Sequence, residues 1–202
     1  LRRMTGPLGR GKKAGTGMHT GKKKTKKTAA KKKGADPKSC VIVGIGASAG
    51  GLEAIEAFFK AMPVESGMAF VVVQHLSPDY KSLMVELLSR KTSIPVHRAE
   101  DGMEVEANHI YLIPPKKNLT IFHGKLLLED QKQRESINLP VDIFLRSLAE
   151  DQGERAVAVI LSGTGSDGTR GVRAIKECGG LVMTQDETSA KFDGMPRAAA
   201  ST

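Results

Sequence analysis

The stretch VIVGIGASAGG, residues 41–51, decides the fold class that this sequence predicts. It begins as a short apolar run typical of a β-strand buried on both faces, and it ends in the small residues that a tight turn needs. Leu52, Ile55, Phe58 and Phe59 then follow at helical spacing. The stretch therefore predicts a strand, a sharp turn and a helix in direct succession.

The same alternation continues along the chain. Further short apolar runs, each bounded by Gly, Pro or polar residues, lie at 69–73, 110–113, 156–161 and 181–183. Helix-period segments separate some of these runs, near 83–88, 141–148 and 172–175. Strands alternating with helices predict an α/β domain: a doubly wound, mostly parallel sheet with helices on both faces. A small β-hairpin is predicted beside it at 119–128.

Charge divides the chain into two parts. Residues 1–38 hold 14 of the 31 Lys and Arg residues but only one of the 22 acids. This segment has no aromatic residue, so it cannot bury enough apolar surface to fold, and we predict a basic, disordered tail at 1–38 and a globular domain at 39–202. The tail is either a solvated linker or an electrostatic arm for an acidic partner. Nucleic acid is not an expected partner, because no aromatic side chain among the lysines offers a platform for base stacking.

Several classes of protein are excluded by simple patterns. No apolar run reaches about 18 residues, so no membrane span is predicted, and the first residues do not resemble a secretory signal. The two cysteines, Cys40 and Cys178, are too few and too far apart for a disulfide framework or a zinc site. A cytoplasmic location is expected. The chain starts with Leu1, which suggests a fragment.

Ser48 is the candidate nucleophile. Residues 46–50, GASAG, match the pattern G-x-S-x-G between a predicted strand and a predicted helix. In such a turn the serine hydroxyl is exposed, and the N–H groups that begin the helix are available to stabilise an oxyanion. We expect the donors to be the backbone N–H groups near Ala49 and Gly50.

The same residues also fit a different site. Gly44, Gly46 and Ala49 match the dinucleotide-binding pattern G-x-G-x-x-G/A. That pattern expects an acid at the end of the second strand, where this chain has Gln74-His75 instead. The missing acid favours the nucleophile, although a glycine-rich turn without chemistry remains an alternative.

Two more candidates follow apolar runs. His75 follows the second run after Gln74, and Asp167 lies in LSGTGSDG, residues 161–168, after the fourth. Ligands bind at the carboxyl ends of parallel strands, so Ser48, His75 and Asp167 should lie at one edge of the sheet. The simpler alternatives are a packing histidine and an Asp that only caps the helix that follows it. Together the three residues favour nucleophilic catalysis.

Six separated motifs resemble those of one known family. They are GIGASAGG, VVVQHLSP, AEDG…IYLIPP, ILSGTGSDGTRG, GG…TQDE and GMPRAA. In this order they are similar to the catalytic domain of the chemotaxis protein-glutamate methylesterases of the CheB type. The resemblance implies a catalytic triad of Ser48, His75 and Asp167, with Thr164 and Gly165 near the site. It implies hydrolysis of γ-glutamyl methyl esters on chemoreceptor helices and possible glutamine deamidation, without a metal or a cofactor.

The chain also departs from the family pattern. It has Ala49 where the family often has Thr, and Thr164 where the family often has Met. The family continues beyond the last motif, so the resemblance implies a C-terminally truncated domain. Some members of the family are fused to a receptor methyltransferase, and a piece of such a fusion would fit this pattern. The alternatives to an esterase are a dinucleotide-binding protein and a non-catalytic module that docks on receptors.

Overall fold

The computed structural model describes residues 40–74, 83–131 and 138–202. The predicted basic tail, His75 and most of the segment between the second strand and the second helix lie outside the described residues. The described strands are β1 (Val41–Ala47), β2 (Met68–Gln74), β3 (Val96–Arg98), β4 (Met103–Glu104), β5 (Ile110–Leu112), β6 (Lys117–Phe122), β7 (Lys125–Asp130), β8 (Ala156–Ile160) and β9 (Leu181–Thr184). The described α-helices are α1 (Gly51–Ala61), α2 (Met84–Ser89), α3 (Pro140–Gln152), α4 (Thr169–Glu177) and α5 (Gly194–Ala200).

Six of these strands form one sheet in the order β3-β5-β2-β1-β8-β9. Every neighbouring pair in this sheet is parallel. The chain starts in the centre with β1, adds β2 on one side, and later returns to add β8 on the other side. The predicted α/β class is therefore confirmed, and the order of strands reverses between β1 and β8, which is where ligands bind in open sheets.

The helices cover both faces of this sheet. On one face, Ile55 and Phe59 of α1 pack with Phe70 of β2, and α2 extends the same apolar cluster. On the other face, α3, α4 and α5 share a second apolar cluster with β1, β2 and β8. The rings of Phe59 and Phe70 meet edge to face, with centroids 5.2 Å apart. Each fully buried side chain of this size contributes roughly 1.5–3 kcal/mol to folding, so the two apolar layers hold the sheet between them.

A small antiparallel sheet of β4, β7 and β6 packs against α3. Its β6–β7 hairpin, which turns at His123-Gly124, confirms the hairpin predicted at 119–128. The short strands β3 and β4 were not predicted, because three and two residues are too few to show a period. Leu119, Ile121 and Leu126 of the hairpin are buried in the same cluster as α3.

The structure describes both cysteines and five α-helices. Cys40 is buried and Cys178 is exposed, and no disulfide bond joins them. Burial raises the pKa of the Cys40 thiol, so this side chain behaves as a small apolar residue of the core. No helix within the described ranges combines the length and the apolar character that crossing a membrane requires.

Candidate active site

Ser48 follows β1 directly and begins the turn into α1. Its backbone N–H donates to the carbonyl oxygen of Ser162 at 3.0 Å, and its own carbonyl accepts from the N–H of Gly51 at 2.9 Å. The first bond joins the turn to the residues that follow β8, and the second closes the turn before the helix. Ser48 therefore lies at the strand-to-helix turn that the G-x-S-x-G pattern predicts, because β1 ends at Ala47 and α1 begins at Gly51. Its surface is half-buried.

Gly50 makes this turn possible. It caps the N-terminus of α1 in the left-handed conformation, with φ at 68°. A Cβ atom at this position would lie 2.9 Å from both the Lys191 Cβ and the Ser162 Oγ. Any other residue would therefore meet both a backbone strain and a close contact.

The Gly50→Ala variant is expected to lower the free energy of unfolding by about 2–4 kcal/mol. Roughly 1–2 kcal/mol comes from the left-handed conformation and the rest from the crowded contact. Gly67→Ala is the matched control, since Gly67 has φ at 74° but no atom within 4 Å of its Cβ position. Urea denaturation of both variants separates the two costs. Equal losses in the two variants would show that the packing around Gly50 is unimportant.

The start of α1 offers hydrogen-bond donors beside Ser48. Among the described residues, the backbone N–H groups of Ala49 and Gly50 donate to no recorded acceptor, whereas the N–H of Ser48 is engaged with Ser162. The positive end of the helix dipole lies at the same point. The backbone N–H groups of Ala49 and Gly50, and not the N–H of Ser48, are therefore available to stabilise a negatively charged oxygen.

Ser162 is a residue of the site that the sequence did not single out. Its side chain is fully buried, donates to the carbonyl oxygen of Ala49 at 2.9 Å and accepts from the N–H of Phe192 at 3.0 Å. The side-chain oxygen of Gln185 accepts from the Ser162 N–H at 2.8 Å. The hydrogen bonds of Ser162 thus connect the turn at Ser48 to the loop that follows β9. In the sequence, the only indication of this role was the position of Ser162 directly after an apolar run.

Asp167 lies in the loop between β8 and α4, and its carboxylate binds the start of a different helix. Its two oxygens accept from the backbone N–H groups of Val141 at 3.2 Å and Asp142 at 3.0 Å, both in the first turn of α3. The alternative in which Asp167 only caps the helix that follows it does not hold, because Gly168 is the N-cap of α4 and no side chain of the described residues caps that helix. The positive end of α3 therefore holds this carboxylate at the edge of the sheet.

Thr164 and Gly165 lie between Ser162 and Asp167 in the chain, and both are exposed. The loop that carries them is anchored by Gly163, whose N–H donates to the carbonyl of Phe192 and whose carbonyl accepts from the N–H of Met195, both at 2.9 Å. A Cβ at Gly163 would lie 2.2 Å from the Met195 sulfur and 3.1 Å from the Ser48 Cβ. This loop therefore runs close to the candidate nucleophile.

The two glycines of the dinucleotide pattern have a packing role. A Cβ at Gly44 would lie 2.7 Å from the Leu145 Cδ2, and one at Gly46 would lie 2.4 Å from the Val141 Cγ1. Both positions thus face α3 and let it approach β1 closely. These contacts account for Gly44 and Gly46 without a bound nucleotide.

His75 lies outside the described residues, so its contact with Ser48 stays a prediction. Its chain neighbour Gln74 is the last residue of β2 and pairs in register with Ala47, the residue before Ser48. Gln74 is buried, and among the described residues neither atom of its side-chain amide has a hydrogen-bond partner. Ala47 and Gln74, the residues that precede Ser48 and His75, therefore end two neighbouring strands at the same edge of the sheet.

An open groove lies beside the turn at Ser48, between β1 and α1. It has a volume of about 370 Å³, and its lining includes Gly50, Ala54, Phe58, Leu161 and Lys191. The ammonium of Lys191 lies 3.4 Å from the exposed carboxylate of Glu53 at its rim. A hydrogen bond from its own backbone N–H lowers the pKa of Glu53, since this residue lies in the first turn of α1.

A second acid shapes the loop that borders this groove. Asp186 accepts hydrogen bonds from the side chain and the backbone N–H of Thr188, and these bonds lower the pKa of its carboxyl.

Within the described ranges, no three His, Cys, Asp or Glu side chains come together in a way that could hold a metal ion.

Comparison with known proteins adds independent information. Residues 43–202 match the model of a family described as CheB methylesterase. The chain is 50% identical over 119 residues to an uncharacterised 104.1 kDa protein of Rhodobacter capsulatus, covering 59% of this chain and 12% of that protein. It is 34% identical over 162 residues to a protein-glutamate methylesterase/protein-glutamine glutaminase of Photorhabdus laumondii, covering 78% of this chain and 46% of that protein.

A solved structure agrees with these relatives. The CheB methylesterase catalytic domain of Thermotoga maritima superimposes with a TM-score of 0.73 at 32% sequence identity, covering 81% of this chain and 88% of that one. This chain spans less than half the length of the two relatives named above. Because the family model covers most of the chain and the fold agrees with a solved member, the chain belongs to the CheB methylesterase family.

Proposed function

We propose that the domain hydrolyses γ-glutamyl methyl esters on chemoreceptors, giving glutamate and methanol. The observation that carries this proposal is the position of Ser48 at the turn between β1 and α1, beside the N–H groups of Ala49 and Gly50, which donate to no acceptor within the described part of the chain. Membership of the CheB methylesterase family supports it, as does the name of the Photorhabdus relative.

The acylation step uses Ser48 as the nucleophile. Its hydroxyl oxygen attacks the ester carbonyl carbon while His75 takes the proton, and Asp167 holds the imidazole in the required tautomer. The carbonyl oxygen becomes negative and is stabilised by the N–H groups of Ala49 and Gly50. One such donor typically contributes ~3 kcal/mol to the stability of the transition state.

The second half of the reaction releases the product. His75 returns its proton to the departing methoxy group, and methanol leaves an acyl-enzyme on Ser48. His75 then deprotonates a water molecule, which attacks the acyl carbon. The bond from that carbon to the Ser48 oxygen breaks, His75 gives its proton to that oxygen, and glutamate leaves. Glutamine deamidation follows the same steps with ammonia as the leaving group. Neither sequence of steps requires a metal or an organic cofactor.

The proposed substrate is a side chain on the surface of another protein. The open groove beside Gly50 suits a glutamyl ester presented on a receptor helix better than a small free molecule. Such receptor helices extend into the cytoplasm, which is the location we propose for this domain. The basic segment at 1–38 is proposed as a tail that binds an acidic partner.

The experiment that tests this function combines two measurements on the full chain. A fluorophosphonate probe is expected to label Ser48, because only an activated serine reacts, and peptide mass spectrometry locates the label. A helical peptide with one γ-methyl glutamate is expected to release methanol. A chain that docks on receptor helices but neither takes the label nor releases methanol would be a non-catalytic module instead.

A further inference from the structure

Asp142 is a buried acid near the candidate site that the proposed mechanism does not use. It lies in the first turn of α3, and only 5% of its surface is exposed. Its Oδ1 atom accepts from the backbone N–H of Gly171 at 2.8 Å, across to α4. A buried carboxylate is costly unless it is bonded, so its presence between two helices calls for a physical reason.

The N-termini of α3 and α4 exchange carboxylates. Asp167, two residues before α4, binds two N–H groups in the first turn of α3. Asp142, in that same first turn, binds an N–H group in the first turn of α4. Each carboxylate lies at the positive end of the opposite helix, where a negative charge is favourable. These three hydrogen bonds therefore fix the start of one helix against the start of the other.

Close packing strengthens this link. A Cβ atom at Gly171 would lie 2.5 Å from the Leu145 Cβ, so the backbone of α4 packs directly against the Leu145 side chain of α3 near the exchange. In addition, the backbone N–H of Asp142 donates to the Oδ1 of Asp167. The side chain and the backbone of Asp142 thus connect α4 to the carboxylate of Asp167 through a single residue.

We infer that Asp142 is a positioning residue for Asp167. Its carboxylate fixes the first turn of α3 against α4, and that turn holds the Asp167 carboxylate in the orientation that the catalytic imidazole requires. This inference rests on the proposed function, in which Asp167 orients His75. A displacement of about 1 Å at a catalytic group can cost 10²-fold in rate, so this fixation has a measurable kinetic value.

The first test compares Asp142→Ala with Asp142→Asn. Alanine removes the acceptor for the Gly171 N–H, and we expect kcat for methanol release to fall about 10²-fold while KM changes less than about 3-fold. Asparagine keeps a carbonyl oxygen for that N–H, so its kcat is expected to stay within about 5-fold of the parent. An asparagine variant as slow as the alanine variant would overturn the hydrogen-bond role.

The second test is a double-mutant cycle with Asp167→Asn. If Asp142 acts through Asp167, then Asp142→Ala costs about 10²-fold in the parent but less than about 3-fold when Asp167 is already Asn. A general structural role predicts the same loss in both backgrounds, and that result would overturn the inference. Single-turnover methanol release with enzyme in excess measures the slow variants.

Asp151→Ala is the matched control for both tests. Asp151 lies at the other end of α3, and its carboxylate likewise accepts from two backbone N–H groups, those of His123 and Gly124. Its loss is expected to lower the melting temperature without changing kcat. Melting curves accompany every variant. If Asp142→Ala melts below the assay temperature, the cycle is repeated with Asp142→Ser and decided by the same comparison.

A Ser48→Ala chain separates the two levels of the proposal. A parent chain that releases no methanol overturns the proposed function, and methanol release that survives Ser48→Ala overturns Ser48 as the nucleophile. The inference falls with either result. Release that depends on Ser48, together with an unchanged kcat in folded Asp142→Ala, overturns the positioning role alone.

Discussion

Ser48→Ala is expected to lower the turnover of a γ-glutamyl methyl ester by about 10⁶-fold, as the loss of the nucleophile does in other serine hydrolases. The substitution removes only the hydroxyl. The backbone bonds that hold the turn, from Ser48 N–H to Ser162 and from Gly51 N–H to Ser48, remain. Among the described residues the Ser48 hydroxyl holds no other group in place, so the free energy of unfolding should change by less than about 0.5 kcal/mol.

Ser162→Ala is the matched control for this prediction. Ser162 is bonded to the same turn, but its hydroxyl is buried and joins Ala49 to Phe192. Its removal takes away the partner of the Phe192 N–H and of the Ala49 carbonyl, which costs roughly 0.5–1.5 kcal/mol of stability for each lost bond. Ser48→Ala should therefore lose methanol release with little loss of stability. Ser162→Ala should lose stability and, because it keeps the Ser48 hydroxyl, release methanol far faster than Ser48→Ala. Normal methanol release by the Ser48 variant would remove Ser48 as the nucleophile.

The sequence was sufficient for the parts of the fold and site that depend on local patterns. The buried runs that became β1, β2 and β8 are continuous and apolar, because strands covered on both faces have no polar side. Ser48 was located by the small residues around it, since a sharp turn beside packed elements tolerates little else. The short strands β3 and β4 carry no such pattern, and their pairing depends on neighbours that are distant in the chain.

Contacts between distant residues could not be predicted in the same way. The hydroxyl of Ser162 binds Ala49 across 113 positions of sequence. Asp167 was correctly singled out as a polar group after a strand, but its partners in α3 lie 25 and 26 positions earlier. A capping residue is normally sought at the start of its own helix, so the pairing of Asp167 with α3 is visible only once the helices are packed.

Asp167→Asn is expected to lower turnover by roughly 10⁴-fold, because an amide in place of the carboxylate favours the wrong tautomer of the imidazole. The structure adds a cost in stability to this expectation. Both oxygens of Asp167 accept backbone N–H groups of α3, and an amide has only one oxygen. The loss of one charge-assisted bond at a helix N-terminus should cost about 1 kcal/mol, so the variant should still fold.

Asp151→Asn distinguishes the catalytic effect from the capping effect. Its carboxylate also accepts two backbone N–H groups, at the opposite end of α3, so the substitution should lower stability by a similar amount. Only Asp167→Asn should slow methanol release, measured with both variants at a temperature well below melting. Equal rates in the two variants would mean that Asp167 only caps α3, and the imidazole would then need a different partner. A selective loss would mean that the carboxylate serves the helix and the imidazole together, which requires a negative group already fixed in place before the substrate binds.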